Sequence, residues 1–141
     1  MSRPSVMAWM RLARVFQKID RASEVHLRPW NLNVAQFDVL ARVGAAKGIT
    51  QQELADRLLV TKGNISQLLD RLERRGLLKR CQEGRTNTLS LTEEGQQLYA
   101  QVVPAQEEMV AQHFSALTSQ EVNQLLHPPK SFLRLEIVLW G

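Results

Sequence analysis

Two short helices in tandem, followed directly by a two-stranded hairpin, are the feature that most constrains how this chain folds. A capping-box pattern from Thr50 to Glu53 begins the first helix, and Thr61 caps the second after a brief break. Apolar residues then recur at three- and four-residue steps until a glycine ends the second helix. Residues 77–81 and 86–91 flank a Gln-Glu-Gly-Arg turn, and the later segment alternates apolar with polar residues as a half-buried strand does.

Helical patterns also precede and follow this unit. Apolar residues at helical spacing predict a first helix within residues 6–27, and Asn33 with Gln36 can cap a second helix. After the hairpin, Thr92 begins a long helix, which Pro104 is expected to bend. The first and last helical segments carry more apolar surface than a small domain between them can cover, so a partner surface is expected.

The order helix, turn, helix and hairpin is that of a winged helix-turn-helix. We therefore predict a mainly α protein of the α+β class, with one domain over residues 1–141. Its winged helix-turn-helix is expected at residues 33–95, between dimerisation helices at 1–30 and 96–141. A capping box predicts a last helix, which the two prolines at 128 and 129 break.

The charge of the chain is unevenly distributed along it. Residues 1–46 and 47–90 each carry a net charge of +4, whereas residues 91–141 carry −4. A basic first two thirds is suited to a polyanionic partner. Cys81 is the only cysteine, which excludes an intramolecular disulfide, and no apolar stretch is long enough to span a bilayer. We therefore expect a soluble cytoplasmic protein with no membrane partner.

The outer face of the second tandem helix carries residue types that suit a DNA groove. Amide side chains can pair with adenine edges, lysine can reach guanine, and hydroxyl and guanidinium groups can hold phosphates. In the hairpin, Arg85 is placed to enter the minor groove, with Lys79 and Arg80 on the flanking phosphates. A merely solvated polar face is the alternative. The predicted DNA contacts are Thr61, Lys62, Gly63, Asn64, Ser66, Gln67, Arg71, Arg74, Lys79, Arg80 and Arg85.

Several segments, in the right order, resemble the MarR family of bacterial transcription regulators. They lie at residues 32–40, 50–55, 70–77 and 91–95, and residues 114–121 fit the start of that family's last helix. The resemblance implies a homodimer whose N- and C-terminal helices interlock. It further implies a sequence-specific repressor that binds a palindromic operator in double-stranded DNA through two winged domains.

The wing departs from the family pattern in two respects. The acidic-x-Arg signature of the family falls on Glu83 to Arg85, with glutamate in the usual place of aspartate, and the wing is short. We expect Glu83, together with Arg80, to fix the wing arginine. Pro128 and Pro129 also interrupt a region where the family has a continuous final helix.

The resemblance also implies an effector, because family members bind small aromatic or phenolic anions between their dimerisation and DNA-binding parts. The candidate lining residues are Met10, Arg14, His26, Trp30 and Phe37. For Trp30 and Phe37 an ordinary core position is the alternative.

No cofactor is predicted. His26, His113 and His127 lack the spacing of a metal site, and we expect Cys81 to be an inert residue packed within its strand. Nucleotide-binding and hydrolase motifs are absent from the sequence, which argues against an enzyme.

A winged-helix module that docks on another protein is the competing function. Such a surface is apolar and aromatic at its centre. The lysine, asparagine, glutamine and arginine of this one favour nucleic acid.

Overall fold

The computed structural model describes residues 3–58, 62–132 and 134, which form six helices and a small sheet. The helices are α1 (Pro4–Leu27), α2 (Val34–Ala45), α3 (Gln51–Leu58), α4 (Lys62–Arg74), α5 (Glu93–His113) and α6 (Ser119–Leu126). The strands are β1 (Ile49–Thr50), β2 (Leu78–Glu83) and β3 (Thr86–Leu91). Two 3-10 turns lie at Arg28–Trp30 and Lys130–Phe132. The predicted mainly α fold with a hairpin is confirmed.

Reciprocal capping boxes fix where two of the helices begin. At α2, the Asn33 side chain accepts a hydrogen bond from the Gln36 backbone at 2.7 Å, and the Gln36 side chain accepts one from the Asn33 backbone at 3.1 Å. Thr118 and Glu121 form the same reciprocal pair at α6. Both starts agree with the sequence, because a cap is a contact between residues three apart.

The predicted capping box at α3 is only half formed. The Thr50 hydroxyl oxygen accepts a hydrogen bond from the Glu53 backbone N–H at 3.1 Å. In a full capping box the Glu53 carboxylate would accept from the Thr50 backbone N–H, but here it accepts from the Thr50 hydroxyl at 3.0 Å. Thr50 is also a residue of β1 and pairs with Thr88 of β3, so its backbone follows the sheet. The sequence did not predict this two-residue strand.

The sheet is antiparallel, with the strand order β1-β3-β2. Leu78 pairs with Leu91 at the base of the hairpin, and Glu83 pairs with Thr86 at its tip. The wing is therefore a regular hairpin, and β2 is its free edge.

The core joins the winged part to α5. Leu40, Leu54, Leu69 and Leu89 come from four different elements and are at most 1% exposed. α5 packs very closely on this core, because a Cβ atom added at Gly95 would lie 2.0 Å from the Leu77 carbonyl oxygen. The start of α5 therefore fixes the base of the wing.

The ends of the described chain leave much apolar surface uncovered. On α1, Trp9, Leu12 and Phe16 are 67%, 66% and 71% exposed, and Leu126 of α6 is 69% exposed. α5 runs through Pro104 without ending, whereas α6 ends just before the two prolines at 128 and 129. Among the helices described, none is both long and apolar enough to cross a membrane.

Candidate nucleic-acid interface

Helix α4 turns its predicted DNA-reading face outward. Its apolar stripe points into the core, where Ile65, Leu69 and Leu72 are at most 1% exposed. Because a helix repeats every 3.6 residues, the polar residues between these positions lie on the opposite side. The exposed side chains of this outer face include Asn64, Gln67, Arg71 and Arg74.

The start of α4 holds four more of the predicted contacts. Thr61 lies outside the described residues, and the backbone of Lys62 and Gly63 forms the first turn. Ser66 is half-buried, and its hydroxyl oxygen accepts a hydrogen bond from Gln51 Nε2 of α3 at 3.2 Å. This bond joins the two helices of the helix-turn-helix. The DNA contacts of these four residues stay predictions.

The wing presents two of its predicted cations to solvent. Lys79 and Arg85 are exposed, on β2 and in the hairpin turn. Gly84 has a φ of 63°, which favours glycine, and the Thr86 hydroxyl donates to the Glu83 carbonyl at 2.9 Å to close the turn. This tight turn places Arg85 at the tip of the wing.

A cleft brings the wing tip and the helix-turn-helix together. It has a volume of about 270 Å³ and is lined by Gln51 of α3, Ser66 of α4 and Arg85 of the wing. Ser66, predicted for the major groove, and Arg85, predicted for the minor groove, therefore lie on one side of the molecule.

Arg80 has partners that the sequence did not predict. Its guanidinium forms ion pairs with Asp70 and with Glu73 of α4, the latter at 3.3 Å. Hydrogen bonding to Glu73 raises the pKa of Arg80 above its usual value. The expectation that Arg80 acts together with Glu83 on the wing arginine is wrong, because residues three apart on a strand point to opposite faces and Arg80 faces α4. Arg80 holds β2 on α4, and its phosphate contact stays a prediction.

A second arginine was missed altogether. Arg75, directly after α4, donates from Nη1 to the Asn31 carbonyl at 2.7 Å and from Nη2 to the Trp30 carbonyl at 3.2 Å. Asn31 has a φ of 56° and ends the 3-10 turn between α1 and α2. We call residues 28–33 the corner. Arg75 therefore ties the end of the recognition helix to the corner.

The structure divides the predicted effector residues into three groups. Phe37 lines a cavity of about 630 Å³ between α1, α2 and α5, which we call the interhelical cavity. His26 and Trp30 pack together with ring centroids 5.4 Å apart, outside the cavity lining. Met10 and Arg14 are exposed on α1 and are not among the lining residues.

A buried amide connects His26 to the interhelical cavity. Gln106 of α5 is 5% exposed and belongs to the cavity lining. Its Nε2 donates to Ser23 Oγ at 2.9 Å, and its Oε1 lies 2.8 Å from His26 Nδ1. Because the amide oxygen can only accept, His26 donates from Nδ1. No sequence pattern indicated this network, whose members are about 80 residues apart.

Three carboxylates also line the interhelical cavity: Asp20, Asp38 and Glu107. Burial raises the pKa of Asp38 above its usual range, Arg42 opposes this, and Asp20 raises the pKa further. No sequence pattern indicated the three carboxylates, because they lie on three different helices.

The other candidate sites are not assembled in the described part of the chain. No group of three or more histidine, cysteine, aspartate or glutamate residues comes together there as a metal site. Cys81 is exposed, which corrects the expectation that it packs within its strand. The reason is its position three residues after the buried Leu78, because side chains alternate along a strand and Cys81 therefore lies on the opposite, solvent-exposed face of the sheet.

Comparison with known proteins decides the family. Residues 30–86, which contain α2 to α4, β2 and the turn of the wing, match the sequence model of the MarR family. An uncharacterized HTH-type transcriptional regulator of Bacillus anthracis is 35% identical over 121 residues, which cover 86% of this chain and 82% of that protein. This chain belongs to the MarR family. The resemblance predicted from the sequence is thereby confirmed.

Other relatives of this MarR-family protein agree. The HTH-type transcriptional repressor MdtR of Bacillus subtilis strain 168 is 29% identical, over 82% of this chain and 77% of its own length.

Two solved structures are also similar to this chain. A MarR-family regulator from Listeria monocytogenes in complex with a 26mer DNA is 25% identical with a TM-score of 0.80, covering 99% of this chain and 90% of its own. CouR from Rhodococcus jostii RHA1, bound to p-coumaroyl-CoA, is 28% identical with a TM-score of 0.74, covering 81% and 82%. The protein is thus a transcriptional regulator and not an enzyme.

Proposed function

We propose that this MarR-family regulator is a repressor that binds a palindromic operator in double-stranded DNA as a homodimer. The outer face of α4 enters the major groove, and Arg85 enters the adjacent minor groove. The observation that carries the proposal is the cleft that brings Ser66 of α4 and Arg85 of the wing to one side of the molecule. A helix and a wing tip on one side can engage neighbouring grooves of the same duplex.

The exposed apolar face of α1 supports the homodimer. Trp9, Leu12 and Val15 are each more than half exposed on that helix. Side chains of this size are normally covered, and a second copy of the same helix offers a matching surface. In a symmetric dimer the two recognition helices sit about 34–36 Å apart, one turn of DNA. The relative MdtR, a transcriptional repressor, supports repression, and the Listeria complex supports DNA binding.

A small aromatic effector is part of the proposal. The interhelical cavity lies between α1, which belongs to the dimerisation part, and α2 of the winged part. A ligand seated there can change how the two parts are oriented. The relative CouR, crystallised with p-coumaroyl-CoA, supports ligand binding.

The operator contacts are tested by selecting bound duplexes from a random pool and then titrating variants on the selected site. We expect Arg85→Ala to weaken binding to sites with A·T flanks, because the minor groove is narrow and electronegative there. Gln67→Ala is expected to relax the base preference by about 1–3 kcal/mol at one position. Arg21→Ala and Gln97→Ala are matched controls, since both residues are exposed on helices away from the cleft. Unchanged affinity and preference in both test variants would refute the assignment.

A salt titration separates this function from docking on a protein. Contacts with phosphates release counterions, so the affinity for the operator should fall steeply as salt rises. A flat titration would favour a protein-docking module instead.

A further inference from the structure

The interhelical cavity has the walls of a ligand site. Its surface is mainly apolar, with contributions from α1, α2 and α5, and it holds two aromatic rings, those of Phe16 and Phe37. A volume of about 630 Å³ is within the usual range for small-molecule pockets. Phe16 is 71% exposed and therefore lies at the mouth, whereas Gln106 is buried and lies at the base.

The charges of the cavity are all of one sign. Asp20, Asp38 and Glu107 line it, and no lysine or arginine is among its lining residues in the described chain. This contrasts with the net charge of +4 for the protein. Arg42 acts on Asp38 from outside the lining. Within the lining, an anionic ligand meets three carboxylates, whereas a cation gains attraction from them. Aromatic rings add to that attraction through their negative faces.

We propose that the interhelical cavity binds an organic cation with an aromatic body, and that phenolic anions are excluded from it. The carboxylates supply the charge complementarity, and Phe16 and Phe37 receive the aromatic part. The binding does not depend on operator recognition, but its regulatory effect rests on the proposed function.

The hydrogen bonds below the cavity give such a ligand a route to the DNA-reading helix. Gln106 in the lining is bonded to His26, and the His26 ring packs on Trp30. The carbonyl of Trp30 accepts from Arg75, the residue that follows α4. A ligand that displaces Gln106 therefore acts, through this short chain of contacts, on the anchor of the recognition helix.

The test compares two ions of the same shape and opposite charge. Tetraphenylphosphonium and tetraphenylborate are titrated into the full-length protein by calorimetry in sodium buffer. We expect the cation to bind at least tenfold more tightly, which corresponds to about 1.4 kcal/mol. Equal affinity, or tighter binding of the anion, would overturn the proposal.

Variants locate the site within the protein. The double variant Asp20→Asn with Asp38→Asn should weaken binding of the cation about tenfold, because it removes two of the three charges. Glu107→Gln should weaken it severalfold, whereas Glu108→Gln, one residue further along α5 and outside the lining, should not. If the double variant fails to fold, the comparison of residues 107 and 108 carries the test. Cation binding that is the same in both glutamine variants would refute the site.

The regulatory arm is measured separately, on a complex with the selected operator. We expect tetraphenylphosphonium to lower the affinity for the operator at least threefold in wild type, and not in the Asp20→Asn/Asp38→Asn variant. A protein that binds the cation but no operator would refute the proposed function and leave the cation site intact. A protein that binds the operator but not the cation would refute the cation site and leave the proposed function intact.

Discussion

Replacing Gln106 by leucine tests the buried network that joins α1 to α5. Leucine has a similar size but no polar atoms, so the packing volume is nearly kept. The variant loses the hydrogen bond to Ser23 at 2.9 Å and the one from His26 at 2.8 Å. Ser23 is itself only 5% exposed, so water cannot readily replace the lost partner.

The expected cost follows from these two contacts. A buried group left without its partner costs about 1–3 kcal/mol, while a half-buried one such as His26 recovers part of its loss from water. We therefore expect Gln106→Leu to lower the free energy of unfolding by about 2–3 kcal/mol. For a chain of this size, that is a fall of about 5–10 °C in melting temperature.

The assay is urea denaturation at one fixed protein concentration, because dimerisation makes stability depend on concentration. Gln101→Leu is the matched control, since this glutamine of α5 is exposed and should tolerate the change. A double-mutant cycle adds Ser23→Ala to Gln106→Leu. The free energy of unfolding of the double variant should be about 1 kcal/mol higher than that of Gln106→Leu alone, because both ends of one hydrogen bond are then apolar. Additive effects, or a Gln106→Leu variant as stable as wild type, would refute the reasoning.

Three further predictions concern other contacts. Gly95→Ala places a Cβ atom 2.0 Å from the Leu77 carbonyl oxygen, so it should cost about 3 kcal/mol or more in a urea titration. Arg80→Ala frees β2 from Glu73 and should cost about 1 kcal/mol, because the pair is partly exposed; a loss of operator affinity with unchanged stability would contradict this. Asp38, which faces Asp20 and Arg42, has a raised pKa, so the folded state holds its proton more tightly and its contribution to stability is lost as the pH rises above the unfolded value. Asp38→Asn should therefore gain stability relative to wild type as the pH rises above about 4, and a stability difference that does not change with pH would contradict it.

Local signals predicted the secondary structure well. The caps at Asn33, Thr92 and Thr118 are contacts between residues three apart, so the sequence contains both partners. β1 could not be predicted in the same way, because a two-residue strand exists only through its pairing with β3. The exposure of Cys81 likewise depends on which face of the sheet the helices cover, and this is a tertiary contact.

The site was predictable where one helix face defines it. Asn64, Gln67 and Arg71 are exposed as the helical period requires. The partners of Arg80 and Arg75 depend on how β2 and the corner approach α4, and no pattern within a segment specifies this. The carboxylates of the interhelical cavity were missed for the same physical reason.

Two arginines anchor the recognition helix to different parts of the protein. Arg80 joins α4 to β2 of the wing, and Arg75 joins its end to the corner. The wing is fixed in turn by the start of α5, where Gly95 lies against the Leu77 carbonyl. α4 and the wing are therefore held as one unit. A shift of the corner relative to α5 must move this unit as a whole or break the Arg75 hydrogen bonds, and either outcome changes how both reading elements meet the duplex.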